Sequence, residues 1–257
     1  MQFLAVLFLE SRHKVHDHFQ PRIRRVTRKG QTDMPAFRCL LQHLTCLIRL
    51  YIRERGMVRR VEERMIPYQD EKRDNAICFF AKEHRARAGT ALAQTYLYKY
   101  LAFLDFLSVE KTGTPSIGLE YRAMKMGPVP PAIYNMRHCL KTPLFEFVDE
   151  GSSVFTIKAK GEPNLDYFSP FEIDIMMGLV TKYAKNFGKA TEISEDSHKQ
   201  IKAWKKTFDK TPNGIIDYIL TFDIDLKNKP EKDLGHSEKC YLTYVATKHA
   251  SKCSRAR

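Results

Sequence analysis

One apolar stretch carrying two isolated charges constrains this chain more than any other feature. It reads Thr95-Tyr96-Leu97-Tyr98-Lys99-Tyr100-Leu101-Ala102-Phe103-Leu104-Asp105-Phe106. Leu97, Tyr100, Leu101, Leu104 and Leu107 recur at i, i+3, i+4 and i+7, which predicts an amphipathic, packed helix over about residues 91–111. Gly113 stands where a left-handed helix cap is wanted, and Pro115 blocks continuation. Lys99 and Asp105 sit inside this helix, either on a solvated edge or as buried or interfacial ionic groups. Tyr121-Arg122-Ala123-Met124-Lys125-Met126 then reads as an extended segment. Gly127-Pro128-Val129-Pro130-Pro131 reads as a stiff turn, with Pro131 at the first position of a short helix holding Ile133, Tyr134 and Met136.

The surrounding pattern is that of a mainly α (α+β) chain. It is a compact helical domain with a small antiparallel β-hairpin. A helix is expected over about residues 70–83. Alternation at Phe145 and Phe147, the turn chemistry of Glu150-Gly151-Ser152, and alternation at Phe155 and Ile157 predict the hairpin. Ser169-Pro170-Phe171-Glu172 is a helix start, with a serine cap, a first-position proline and a glutamate that completes a capping box. That helix places Ile173, Met176, Met177, Val180, Ala184 and Phe187 on one stripe and ends at Gly188. A short acidic helix over residues 191–197 leads to His198, and Trp204, the only tryptophan, follows. Pro212-Asn213-Gly214 turns the chain into an apolar final element over residues 215–222. The helix–strand–turn–helix–hairpin order also admits a winged-helix arrangement, with one helix in the DNA major groove and the hairpin on the backbone.

Charge divides the chain into parts. Residues 1–64 hold 14 Lys+Arg against 6 Asp+Glu, so they carry +8 of the overall net charge of +13. This segment reads as a basic N-terminal extension, with a helical pattern around residues 37–52. Either it is a nucleic-acid arm, or the natural start is Met65 and the preceding residues are not native; the second fits the ordinary domain that begins there. Residues 65–226 form that domain. From Lys227 to Arg257 the composition is Lys-rich and aperiodic, and a loosely held tail is expected. The six cysteines show no C-x-x-C spacing, which fits free thiols in a reducing compartment, with Cys78 and Cys139 as core positions. The seven-residue apolar run at Phe3–Leu9 has neither the flanks of a signal peptide nor the length of a membrane span. The expected location is the cytoplasm, without membrane association.

Signatures of catalysis and cofactor binding are missing from the sequence. It has no phosphate loop, no dinucleotide fingerprint, no H-E-x-x-H and no G-x-S-x-G. No cofactor and no metal are expected. Ser197-His198 admits a nucleophile–base pair, but neighbouring residues rarely face each other, and a packed or backbone-bonded histidine is the plainer reading. Met124, Met126, Met136, Met176 and Met177 supply either an adaptable docking surface or core. A non-enzymatic recognition module fits this inventory.

Three motifs carry a resemblance. T-x-L-x-K-x-L-x-F-x-D over Thr95 to Asp105, Y-x-A-M-K-M-G-P-V-P over Tyr121 to Pro130, and Ser197-His198 followed by Trp204-Lys205-Lys206-Thr207 together resemble the Panacea domain. That domain occurs in SocA-like antitoxins and GepA-like phage-associated proteins. The resemblance covers about residues 68–222. It implies an antitoxin that binds and neutralises a toxin encoded beside it. It also links SocA-like members to a protease, to which they hand the toxin as adaptors. The expected partner-binding residues are Lys99, Asp105, Lys125, Gly127, Pro128, His198 and Trp204. A winged-helix DNA-binding regulator is the alternative from another class.

Overall fold

The computed structural model describes residues 66–138, 140, 142–185, 190–222, 226 and 228–253. The basic extension and its expected helix, Cys139 and Gly188 lie outside them. The described part is mainly α-helical, with small antiparallel strands.

Helix α1 (Gln69–Ala88) ends on Gly89, whose backbone N–H donates to the Arg85 carbonyl. Strand β1 (Leu92–Ala93) leads directly into helix α2 (Gln94–Thr112), which ends on Gly113 at a φ of 81° as the sequence predicts. This helix is not amphipathic. Every residue from Tyr96 to Phe106 is buried, the two charged ones included. A helix that is apolar all round sits inside a fold, and α2 is the central rod. Around it pack α1, helix α4 (Pro170–Tyr183), helix α5 (Ala190–Gln200), helix α7 (His236–Cys253) and strand β3 (Gly127–Val129).

The Gly-Pro segment differs from its expected form. Gly127-Pro128-Val129 is not a turn but strand β3, antiparallel to β2 (Arg122–Met124), with the reversal at Lys125-Met126. Proline is tolerated there because it stands at a sheet edge, where no ladder hydrogen bond needs its missing N–H. On its other side β2 meets residues 213–216. Arg122 pairs with Ile215, the Ala123 N–H donates to the Gly214 carbonyl, and the Ile216 N–H donates to the Tyr121 carbonyl.

Helix α3 (Pro131–Met136) starts on proline and spans six residues. Strands β4 (Phe145–Asp149) and β5 (Phe155–Ala159) form the predicted hairpin, and β1 extends it in the order β1-β5-β4. The capping box at Ser169 and Glu172 is present in full at the start of α4. The buried stripe of α4 is Met176, Leu179, Val180 and Tyr183, while Met177 faces out. Helix α5 extends past Ser197 and includes His198, and helix α6 (Lys202–Lys210) carries Trp204. A short 3-10 turn follows at Tyr218–Thr221.

The C-terminal part corrects the expectation of a loose tail. Residues 236–253 form α7, and Tyr241 is buried with Val109 and Leu226. Tyr241, Tyr244 and Val245 are spaced for one helical face, which gives this lysine-bearing helix a packing surface. None of the described helices is long and apolar enough to cross a membrane.

Candidate functional site

Residues from three distant parts of the chain meet beside α2. Lys99 is 1% exposed. Its Nζ donates to the Pro128 carbonyl of β3 at 3.2 Å. Burial pulls its ammonium pKa down to about 7, because the charged form has lost its water. Gly127 lies against this side chain at a φ of 100°. A β-carbon there would stand 2.6 Å from Ser197 Oγ and 2.9 Å from Lys99 Nζ, so both backbone angle and space require glycine. Helices α5 and α6 close the arrangement. Ser197 Oγ donates to the Ser194 carbonyl at 2.7 Å. The His198 ring lies flat on Trp204, with centroids 3.8 Å apart and planes within 5°, and Phe208 stacks on the far side of the indole. Trp204 Nε1 donates to the Met124 carbonyl at 3.0 Å, which ties α6 to β2. The His198 pKa is lowered, first by burial and then by repulsion from Lys99.

Asp105 belongs to a different node of the same helix. Its Oδ1 accepts the backbone N–H groups of Ile117 and Gly118, at 2.6 and 3.0 Å. Its Oδ2 accepts the Leu119 N–H at 3.2 Å and the hydroxyls of Tyr121 and Tyr218 at 2.9 and 3.1 Å. Full burial pushes the carboxyl pKa up, and the hydrogen bonds from Gly118, Ile117, Tyr121 and Leu119 pull it back. This carboxylate organises the loop that delivers the chain from α2 into β2. Lys99 and Asp105 thus each take their own partners, one facing β3 and the other the 117–121 loop.

Of the residues expected to bind a partner, the structure brings Lys99, Gly127, Pro128, His198 and Trp204 together. Lys99, Asp105, Gly127 and Pro128 are buried, Trp204 is 6% exposed, His198 is half-buried, and Lys125 alone is exposed, at the β2–β3 turn. The buried set therefore shapes the hairpin, and the hairpin carries the outward surface. Sequence reasoning did not single out Ser194, Phe208, Ile215 or Tyr218. Phe208 had a readable signal, because it stands one helical turn after Trp204. The methionines divide: Met124, Met126 and Met177 are exposed, Met176 is core, and Met136 packs partly against the core.

Residues 97–205 match the family model described as antitoxin SocA-like, Panacea domain. The chain carries a Panacea domain. The matched span begins in α2 and ends in α6, so it holds all of the Lys99–Gly127–Ser197–Trp204 cluster. In this Panacea domain the three motifs are adjacent in space although about a hundred residues separate the first from the last. No curated protein and no solved structure matches the chain.

Proposed function

We propose that this chain is an antitoxin that binds and neutralises a cognate protein toxin, acting in the cytoplasm by stoichiometric association. The observation that carries this reading is the convergence of the three Panacea motifs on one cluster whose outward product is a stiff, exposed hairpin. A buried lysine, a glycine with no room for a side chain and a stacked tryptophan all fix that hairpin. Presenting a rigid surface lowers the ordering cost of association. The inner groups are engaged in packing: the Ser197 hydroxyl bonds a backbone carbonyl, and the His198 ring is covered by Trp204. This supports binding over Ser/His catalysis. The DNA-regulator alternative needs a helix that fills a major groove, and α3, with six residues, offers less than two turns.

Growth rescue tests the proposal. The product of the reading frame beside this one is expressed alone and together with the full chain. Restored growth together with co-purification of the two proteins is expected. Absence of both would reject the antitoxin reading.

A further inference from the structure

The cluster that carries the proposed function has an outer side, and its chemistry specifies the partner. Strands β2, β3 and residues 213–216 form a three-stranded patch. Neighbours directly opposite each other on paired strands project to the same face, and residues two apart on one strand do so as well. Arg122 stands opposite Ile215 on one side and Val129 on the other. Arg122, Met124 and Ile215 therefore share the outward face, while Ala123 between them is fully buried on the inner one. Ile215 is 54% exposed, Met124 39%, and Met126 at the turn 51%. They are three of the eight large apolar side chains that stand exposed among the described residues.

The charge around this face is mainly positive, with Glu120 and Asp217 just beyond its strands. Residues 121–129 and 213–216 contain Arg122 and Lys125 and no carboxylate. Helix α6, packed on β2, adds Lys202, Lys205 and Lys210 against Asp209, while Lys206 is turned onto the carbonyls of Leu220 and Phe222. Apolar side chains set beside an arginine suit a protein interface, where methionine and arginine are enriched. A predominantly basic surround favours a partner of opposite sign.

We infer that the outer face of this three-stranded patch, with Met124 and Ile215 beside Arg122 and with Lys125 and Met126 at the turn, docks an acidic, partly apolar surface of the toxin. This rests on the antitoxin reading and identifies which residues make the contact. Lys99, Gly127 and Trp204 act behind the face as positioning residues, and the contact belongs to the outward side chains of the second motif together with Ile215, which lies outside all three.

The experiment uses the full chain and the purified product of the adjacent reading frame, with affinity measured by calorimetry at low and raised salt. Two paired variants are compared with wild type: Arg122→Glu with Lys125→Glu, and Met124→Ser with Ile215→Ser. Val154→Ser, in the β4–β5 turn, is the control. Circular dichroism reports folding, and a photo-crosslinking residue at position 215 gives a readout that does not depend on loss of affinity. The expected result is at least about tenfold weaker binding for each pair. Wild-type binding should weaken as salt rises, the control should be unchanged, and the cross-link at 215 should form to the toxin. If wild type binds the toxin while both folded pairs bind it equally well and 215 gives no cross-link, the docking face is overturned and the antitoxin reading stands. If wild type binds no such product, the antitoxin reading falls and the docking face with it. Duplex DNA bound in place of protein, and lost in the charge-reversal pair, would overturn the acidic-protein partner in favour of nucleic acid.

Discussion

Replacing Lys99 by methionine should make the protein more stable, and the gain should depend on pH in a defined direction. Lys99 is fully enclosed, and its pKa falls from an ordinary 10.5 to about 7. Between those values the unfolded chain holds the proton and the folded chain releases it, so stability rises with pH. Well below pH 7 both states are protonated, and the folded state bears the whole desolvation penalty. Linkage with these two values gives a penalty of about 4 kcal/mol at pH 7 and about 2 kcal/mol at pH 9. Methionine keeps the unbranched shape and removes the charge. It also leaves the Pro128 carbonyl without its donor, a loss of about 1–3 kcal/mol that is the same at every pH. Lys99→Met is therefore expected to stabilise by about 2 kcal/mol at pH 7, with the advantage falling by about 2 kcal/mol on going to pH 9. Urea unfolding of both proteins at the two pH values measures this, and groups common to both cancel in the difference. A difference that stays constant from pH 7 to 9 would show that Lys99 titrates as a solvated lysine and would refute the reasoning. A stabilising substitution at this position also says that the lysine is kept for something other than stability.

Two further outcomes follow from the same packing. His84 is buried against the Tyr100 hydroxyl, and burial lowers its pKa from 6.5 to about 4. The folded state resists the proton that the unfolded state accepts, so stability should fall as the pH drops from about 6.5 towards 4, by up to about 3 kcal/mol; His84→Gln should flatten this part of an acid-unfolding curve, and an unchanged slope would exclude His84 as its source. Gly127→Ala should destabilise by about 3 kcal/mol, because strain at positive φ adds to collision with Ser197 and Lys99, whereas Gly151→Ala, also at positive φ but with open space around it, should lose only about 1 kcal/mol; equal losses in denaturant midpoints would remove the packing contribution at Gly127.

Local chemistry made much of the fold legible. Gly113 and the Ser169–Glu172 box mark helix ends through interactions within a few residues, and both form as read. The alternation at Phe145–Phe147 and Phe155–Ile157 gives the hairpin for the same reason. What local pattern could not supply was surroundings. The periodicity of α2 shows one apolar face, but the elements packed around it cover the helix on every side, so of the two settings open to Lys99 and Asp105 it is the buried one that forms. Gly127-Pro128 looks like a turn because the partner that makes it a strand, β2, is only recognisable once Lys125-Met126 reverses the chain. The lysines of the C-terminal segment hid the spacing of Tyr241, Tyr244 and Val245, which form a packing face in α7. At the site, the motif residues were readable individually, but their meeting was not, because it depends on long-range contacts across α2. Ile215 had no signal beyond its hydrophobicity, and its importance comes from lying opposite Arg122.

The pairing of residues 213–216 with β2 bears on where this module can be cut. The family match stops at Lys205, yet one strand of the patch and the Tyr218 hydroxyl on Asp105 both come from beyond it. A transplant limited to the matched span would leave β2 with a bare flank, and Asp105 would lose one of its five donors deep in the interior. A portable unit of this domain therefore has to reach beyond the matched span, from α1 through the Tyr218–Thr221 turn and on to α7, whose Tyr241 covers Val109, and a protease that nicked the Pro212–Gly214 loop would loosen the first charged strand without touching any motif residue.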